Sequence, residues 1–125
     1  MLYLCDSCIL IDYLRGDDAT HDILNADRKL GLGMSSVTMM ELIVGAFNKR
    51  EIQLIKKTFA DFNILELNEA ISVRAKNLIE QYSKSHGLLI PDALIAATAL
   101  EYDLPLFTAN VSDFRFIPGM ELKLK

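Results

Sequence analysis

The chain has 125 residues, of which 51% are hydrophobic and 24% charged, which suits one globular domain over residues 1–125 and excludes a disordered or low-complexity chain. The net charge of −4 excludes a protein that holds nucleic acid only by neutralising phosphates with its own cations, so a phosphate substrate would need a metal ion as intermediary. No apolar stretch approaches the roughly 18 residues that span a membrane, and the N-terminus lacks the basic start of a signal peptide, so we expect a cytoplasmic protein with no membrane partner.

The predicted elements alternate between strand and helix along the chain. Strands are predicted over residues 2–5, 30–34, 64–67, 105–108 and 120–124. Helices are predicted over residues 7–14, 20–28, 36–48, 51–61, 69–86 and 91–100, with N-caps at Asp6, at Ser35 or Ser36, and at Asn68. This α/β order predicts a central, mostly parallel sheet with helices on both faces, and ligands bind such sheets outside the carboxyl ends of the strands.

Three acidic residues stand out because each lies at or within a strongly apolar segment. Asp6 ends a buried strand, Asp92 heads a helix that is apolar all round, and Glu41 lies in a helix whose neighbours are expected to be buried. Asp6 also suits an N-cap, and Asp92 suits a first helical turn, where the helix dipole favours an acid. Buried unpaired charges are costly, but a divalent cation would explain all three, since Mg²⁺ or Mn²⁺ prefers carboxylate oxygen. Apart from Asp113, we interpret the other acids, including Asp12, as solvated background.

Cys5 and Cys8 form a single C-x-x-C motif, which could indicate a thiol–disulfide oxidoreductase because it crosses from a strand into a helix. That interpretation leaves Glu41 and Asp92 unexplained. The motif also begins within the first strand, whereas a thioredoxin-like chain would carry it after a longer N-terminal unit. We therefore expect both cysteines to be reduced and mostly buried. His21 and His86 match no zinc-ligand spacing and are interpreted as surface residues.

Several segments also match one known family in its own order. They are LCDSCILID at residues 4–12, MMELIVGA at 39–46, PDALIAATA at 91–99, LFTANVSDF at 106–114 and IPG at 117–119. With these segments the chain resembles PIN-domain ribonucleases of the VapC type, which are toxins of bacterial and archaeal toxin–antitoxin pairs. Each motif is weak alone, but together they are specific and cover essentially the whole chain.

The resemblance implies that Asp6, Glu41 and Asp92 hold a Mg²⁺ or Mn²⁺ ion and act in catalysis. The reaction implied is hydrolysis of RNA phosphodiester bonds. The ion orients and acidifies a water for in-line attack and stabilises the leaving 3′ oxygen, so that the product keeps a 5′ phosphate. Neither the number of ions nor the RNA that is cleaved can be read from the sequence.

Four further positions follow from the same resemblance. Ser7 matches the small hydroxyl residue that usually follows the first acid. Many relatives carry aspartate at the position of Asn110, whereas Asp113 belongs to the neighbouring D-F element, so these two stay alternatives for completing the catalytic site. Thr108, in the same segment, is a secondary candidate together with Ser7 and Asn110.

The expected partners are the RNA substrate, a small VapB-like antitoxin and a second copy of the chain. Besides the resemblance, the helices carry what we interpret as a surplus of apolar residues, in Ile52, Ile55 and Phe59 beside Val44 and Phe47. An arginine of the antitoxin could pair with the carboxylates in place of the cation. The alternative is a catalytically inactive PIN-like module that binds RNA or a protein, which the three acids disfavour.

Overall fold

The computed structural model describes all 125 residues, Met1–Lys125, and contains five strands and six α-helices. The strands are β1 (Leu4–Cys5), β2 (Gly33–Ser35), β3 (Asn63–Leu65), β4 (Leu106–Phe107) and β5 (Leu122–Lys123). The helices are α1 (Ser7–Leu14), α2 (Asp18–Asp27), α3 (Ser36–Val44), α4 (Lys49–Thr58), α5 (Glu69–His86) and α6 (Ile90–Glu101). Two short 3-10 turns cover Arg28–Leu30 and Val111–Asp113. None of the helices combines the length and apolar character needed to cross a bilayer.

The five strands form one sheet in the order β3-β2-β1-β4-β5, and every neighbouring pair is parallel. Parallel neighbours need crossover connections, which the intervening helices and loops provide. The prediction of an α/β fold around a mostly parallel sheet is thus confirmed. Because all strands run the same way, their carboxyl ends lie at one edge, where the polypeptide continues into Asp6 after β1 and Thr108 after β4.

Helices cover both faces of the sheet, and each face has its own hydrophobic core. Successive strand residues point to opposite faces, so Leu4 belongs to one core and Cys5 to the other, as do Leu106 and Phe107. The first core contains mainly α5 and α6, whereas the second contains residues of α1, α2 and α4. Four alanines of α6 are fully or almost fully buried, as expected for a helix that is apolar all round (Ala93, Ala96, Ala97 and Ala99).

Several element boundaries differ from those predicted. The helix expected to reach residue 48 ends at Val44, and the Asn48 side chain accepts a hydrogen bond from the backbone N–H of Glu51 at 2.9 Å. Asn48 is therefore the N-cap of α4, which begins at Lys49, two residues before the predicted start. The strand predicted over residues 30–34 lies at Gly33–Ser35 because a 3-10 turn extends α2 to residue 30.

Of the five apolar residues that we interpreted as a surplus, two lie inside the core and two are strongly exposed. Ile55 and Phe59 belong to the second core, with 4% and 1% of their surface exposed, and Ile52 is half-buried. Val44 and Phe47 are 84% and 90% exposed, so the unpartnered apolar surface lies at the end of α3.

Some of the acids that we interpreted as solvated have definite partners. The Arg28 guanidinium donates to both carboxylate oxygens of Asp61 and to the carbonyl of Thr58. The Lys125 ammonium donates to Asp12 at 2.7 Å. These pairs connect separate elements, and none of them involves the acids of the expected metal site.

Candidate active site

Asp6 lies at the carboxyl end of β1 and is 3% exposed. Its Oδ1 accepts a hydrogen bond from the backbone N–H of Ser7 at 2.8 Å, so it is the N-cap of α1. Its Oδ2 accepts a 2.8 Å hydrogen bond from the hydroxyl of Thr108, at the end of the neighbouring β4. The Thr108 oxygen in turn accepts the backbone N–H of Asn110 at 2.9 Å. Asp6 therefore combines its capping role with a fixed position between two strand ends.

Glu41 lies on α3 and, contrary to expectation, is exposed. The expectation of burial was wrong because no element covers this side of α3, where Met40 and Val44 are also exposed. Its carboxyl group is nonetheless partly removed from water, which raises its pKa, and the negative charge of Asp6 raises the pKa further. The Ser7 hydroxyl lowers the same pKa. The Glu41 side chain is thus exposed as a whole, while its carboxyl group is partly desolvated and close to Asp6 and Ser7.

Asp92 lies in the first turn of α6, where the charges of three other acids act on its carboxyl group. Burial raises its pKa to about 6, and the charges of Asp6, Asp113 and Glu41 each contribute to the increase. A helix N-terminus should favour the ionised form of an acid, so burial and like charges outweigh the helix dipole here. The fold thus brings acids from four separate segments within range of one another's charge. We call Asp6, Glu41, Asp92 and Asp113 the acidic cluster.

Asn110 and Asp113 occupy the start and the end of one short turn but make different contributions. Asp113 is exposed on the 3-10 turn, and its charge acts on Asp92. Asn110 contributes its backbone N–H to Thr108, and its side chain makes no hydrogen bond. Asp113 is therefore a fourth acid within range of Asp92, and both alternatives, Asp113 and Asn110, stay predictions, as do the roles of the other three acids.

The donor chemistry of the acidic cluster fits a hard divalent cation. All four side chains offer carboxylate oxygen, and none of them forms an ion pair with a lysine or arginine. No three His, Cys, Asp or Glu side chains, however, converge closely enough to hold an ion as they stand. The cluster therefore supplies suitable ligands and uncompensated charge, and binding would require side chains to rotate toward a common point.

Cys8 also contacts this site, although no motif in the sequence indicated such a role, and its thiol donates a 3.5 Å hydrogen bond to Oδ2 of Asp6. Its sulfur lies 3.6 Å from the Thr108 hydroxyl and accepts the backbone N–H of Ala109 at 3.4 Å. Cys5 and Cys8 are both free, as expected; Cys5 is buried and Cys8 half-buried. Burial and the charge of Asp6 raise the pKa of both thiols, which opposes the thiolate that an oxidoreductase needs. Cys8 thus helps to position the turn after β4.

Comparison with known proteins identifies the family. The family model of the PIN domain matches residues 3–117. The chain belongs to the PIN domain family. The prediction made from its motifs is therefore confirmed.

This PIN domain is 39% identical over 115 residues to Ribonuclease VapC10 of Mycobacterium tuberculosis, a match that covers 90% of the chain and 86% of the relative. Among solved structures, it is 34% identical to a chain of a toxin–antitoxin complex from Klebsiella pneumoniae, with 94% of each chain covered and a TM-score of 0.78. A chain of VapBC2 from Rickettsia felis has the same fold at 22% identity, with a TM-score of 0.85 over 100% of this chain and 99% of the other.

The largest surface groove of this PIN domain lies away from the acidic cluster. It runs along α5 and the end of α6, and Arg74 and Glu101, which line it, are paired with each other at 2.6 Å. A smaller, mainly apolar groove passes next to Glu41 and includes Met40, Val44 and Ile90. The site is therefore an open surface with an apolar border, which suits a polymer better than an enclosed small molecule.

Proposed function

We propose that this PIN domain, residues 1–125, is a divalent metal-dependent endoribonuclease and the toxin of a toxin–antitoxin pair. The observation that carries the proposal is the electrostatic coupling of the acidic cluster, in which three other carboxylates raise the pKa of Asp92. The relatives named Ribonuclease VapC, which align over most of the chain, support RNA as the substrate class.

In this proposal Asp6, Glu41 and Asp92 hold Mg²⁺ or Mn²⁺, and Asp113 completes the site. When bound, the cation supplies Lewis-acid polarisation of the phosphoryl group and acidifies a water for in-line attack, which leaves a 5′ phosphate and a 3′ hydroxyl. The ion also offsets the negative charge that would otherwise repel RNA from a protein with a net charge of −4.

The chain's own residues fix the geometry of the site. Thr108 and the Ser7 N–H hold the two oxygens of Asp6 in one orientation, so little side-chain freedom remains to be lost when a ligand binds. Asp92, with its pKa of about 6, is ionised at neutral pH and is neutralised in mild acid. Glu41 approaches from the exposed side and has more freedom to move toward a ligand.

We also propose a VapB-like antitoxin and a homodimer as partners. The Klebsiella relative, at 34% identity, is named as a toxin–antitoxin complex, which supports an antitoxin for this chain. An antitoxin arginine could pair with two carboxylates of the acidic cluster and compete with both the cation and the RNA. The exposure of Val44 and Phe47 supports a second protein surface at the end of α3.

The direct test is cleavage of end-labelled, single-stranded RNA by the purified chain with Mg²⁺, with Mn²⁺ or with EDTA. Asp92→Asn should abolish cleavage, whereas the matched control Asp22→Asn should not, because Asp22 is an exposed acid on α2 without an ion pair. Cleavage that persists in EDTA or in Asp92→Asn would contradict the proposal. RNA that is bound but never cut under any condition would favour the inactive binding module instead.

A further inference from the structure

An exposed aromatic stack lies where the end of α5 meets the segment after Asp113. The His86 ring is nearly parallel to the Phe116 ring, with centroids 4.2 Å apart and an interplanar angle of 16°. Tyr82, one turn earlier on α5, packs at an angle against both rings, at 5.6 Å from His86 and 5.2 Å from Phe116. Phe116 lies against one face of the imidazole, and the His86 side chain nevertheless remains exposed, so part of its ring is accessible to a further planar group.

The stack is built from the two segments that carry Asp92 and Asp113. Phe116 follows Asp113 by three residues, so their Cα atoms are at most about 11 Å apart. His86 precedes Asp92 by six residues across the end of α5. The charge of Asp113 acts on Asp92, so the two segments approach each other at these acids. Phe116 therefore lies within about three residues' reach of the acidic cluster, a distance that neighbouring nucleotides of one RNA strand can span.

Packing explains only part of the stack. Tyr82 and Phe116 pack against the first core and thereby hold α5 against the chain after Asp113. His86 does not belong to that core, and its ring makes one hydrogen bond, between Nδ1 and the Ser85 hydroxyl at 2.8 Å. A histidine in the last turn of a helix can favour the dipole, but that effect requires no stacking partner. The dipole therefore does not account for the stacking, and the aromatic packing holds the exposed ring in one orientation.

The net charge of the protein gives a reason why an accessible aromatic ring would help it to bind RNA. A chain with a net charge of −4 has little affinity for RNA through phosphate contacts, so contacts to bases must contribute more of the binding. Unpaired RNA bases stack on aromatic rings, including histidine, and every base offers a face for stacking whatever its identity. Arg115, which precedes Phe116, is exposed and in no ion pair, so a cation is available for the adjoining phosphate.

We propose that His86, supported by Phe116, is a stacking platform for an unpaired base of the RNA that the acidic cluster cleaves. The proposal rests on the proposed nuclease function and adds how the substrate is held. It specifies single-stranded RNA, because a base inside a duplex has no free face to offer. It also predicts tolerance of base identity at this position, since stacking does not read hydrogen-bonding edges.

The test compares binding of two fluorescent strands of equal length and phosphate charge, a short oligoadenylate and the same backbone without bases. All proteins carry Asp92→Asn and are measured with Mg²⁺, so that the strand is not cut. Without a further change, the protein should bind the base-bearing strand roughly 5- to 100-fold more tightly than the abasic one, the range expected for stacking of one base. His86→Ala should bring that ratio close to one, and His86→Trp should preserve or increase it.

The matched control is Tyr102→Ala, because Tyr102 is an exposed aromatic residue at the far end of α6, and its removal should leave the ratio unchanged. Thermal unfolding of each variant checks that His86→Ala folds. An unchanged ratio in His86→Ala, a loss in His86→Trp equal to that in His86→Ala, or no preference for bases at all would each overturn the platform.

Cleavage by the unmodified chain is scored separately. Cleavage without base preference overturns the platform alone, and base preference without cleavage overturns the nuclease alone. Absence of both cleavage and RNA binding overturns both.

Discussion

The hydroxyl of Thr108 donates a 2.8 Å hydrogen bond to Oδ2 of Asp6, and both residues are almost completely buried. Because the acceptor is a carboxylate, Thr108→Val should remove about 2 kcal/mol from the free energy of unfolding and leave Oδ2 of Asp6 with only the weaker, 3.5 Å hydrogen bond from the Cys8 thiol. Metal-dependent RNA cleavage should fall with it. Urea unfolding and initial cleavage rates measure the two effects.

Thr38→Val is the matched control for that change. Thr38 is also fully buried, but its hydroxyl has no hydrogen-bond partner. Replacing this hydroxyl by a methyl group should therefore raise the free energy of unfolding by about 1 kcal/mol and leave cleavage unchanged. Equal destabilisation by the two substitutions would mean that the Thr108 bond has no special value.

The pKa of Asp92 predicts how stability without metal depends on pH. The folded chain raises this pKa to about 6 from an ordinary value of 3.8, so it holds the proton more tightly than the unfolded chain does. The resulting stabilisation is complete below about pH 4 and is lost as the pH rises to about 6. In EDTA at pH 7.5, Asp92→Asn should therefore be more stable than the unmodified chain by about 1 kcal/mol, after a discount for partial exposure to solvent.

Thermal unfolding in EDTA at pH 4 and pH 7.5 measures this difference, which should appear as a few degrees at the higher pH and disappear at the lower one. Added Mg²⁺ should raise the unfolding temperature of the unmodified chain and have less effect on Asp92→Asn, because a ligand stabilises only the state that binds it. Asp22→Asn should behave like the unmodified chain throughout. A variant that is less stable at pH 7.5 would refute the account.

The exposed end of α3 predicts a change in oligomeric state. Phe47 is 90% exposed and Val44 84%, so replacing each with serine should remove apolar surface without opening a cavity. If this surface is the dimer interface, light scattering of the double variant should give the mass of one chain, while the unmodified chain gives the mass of two. Val73→Ser, on α5, is the control for an exposed apolar residue elsewhere. A monomeric unmodified chain would contradict the dimer itself.

The cysteines should be chemically slow. Because burial and the charge of Asp6 raise the pKa of both thiols, little thiolate is present at neutral pH. Alkylation by iodoacetamide at pH 7 should be slower for the folded chain than for the unfolded one, and reducing agents should not alter cleavage. Rapid modification of Cys8, or cleavage that depends on reductant, would revive the oxidoreductase interpretation.

Local signals in the sequence predicted some elements well. Helix α5 was expected over residues 69–86 and lies at Glu69–His86, because Asn68 accepts the N–H of Ile71 at one end and Gly87 adopts a φ of +69° at the other. By contrast, the apolar period of α3 continues past Val44, where the helix ends. The N-cap at Asn48 instead indicates that a new helix begins there, so the two signals disagree. The ends of a helix are thus predictable where the capping residue and the apolar periodicity indicate the same position.

The candidate site was predictable to a similar degree. A strand end followed by a helix indicated Asp6, but its bond to Thr108 depends on β1 lying next to β4, which the order of elements along the chain does not specify. The exposure of Glu41 depends on which face of α3 remains uncovered, a property of tertiary packing. The contact of Cys8 with the turn after β4 is equally non-local.

The separation of Asp6 and Thr108 has a consequence for synthesis of the protein. They are 102 positions apart, and β1 gains its neighbour β4 only after residue 107 has been made. A nascent chain that stops before this point has β1 as an open edge strand, no Thr108 hydroxyl to donate to Oδ2 of Asp6, and no Asp113. The ribosome therefore has to synthesise almost the whole polypeptide before the acidic cluster can form. Incomplete translation products lack the assembled site.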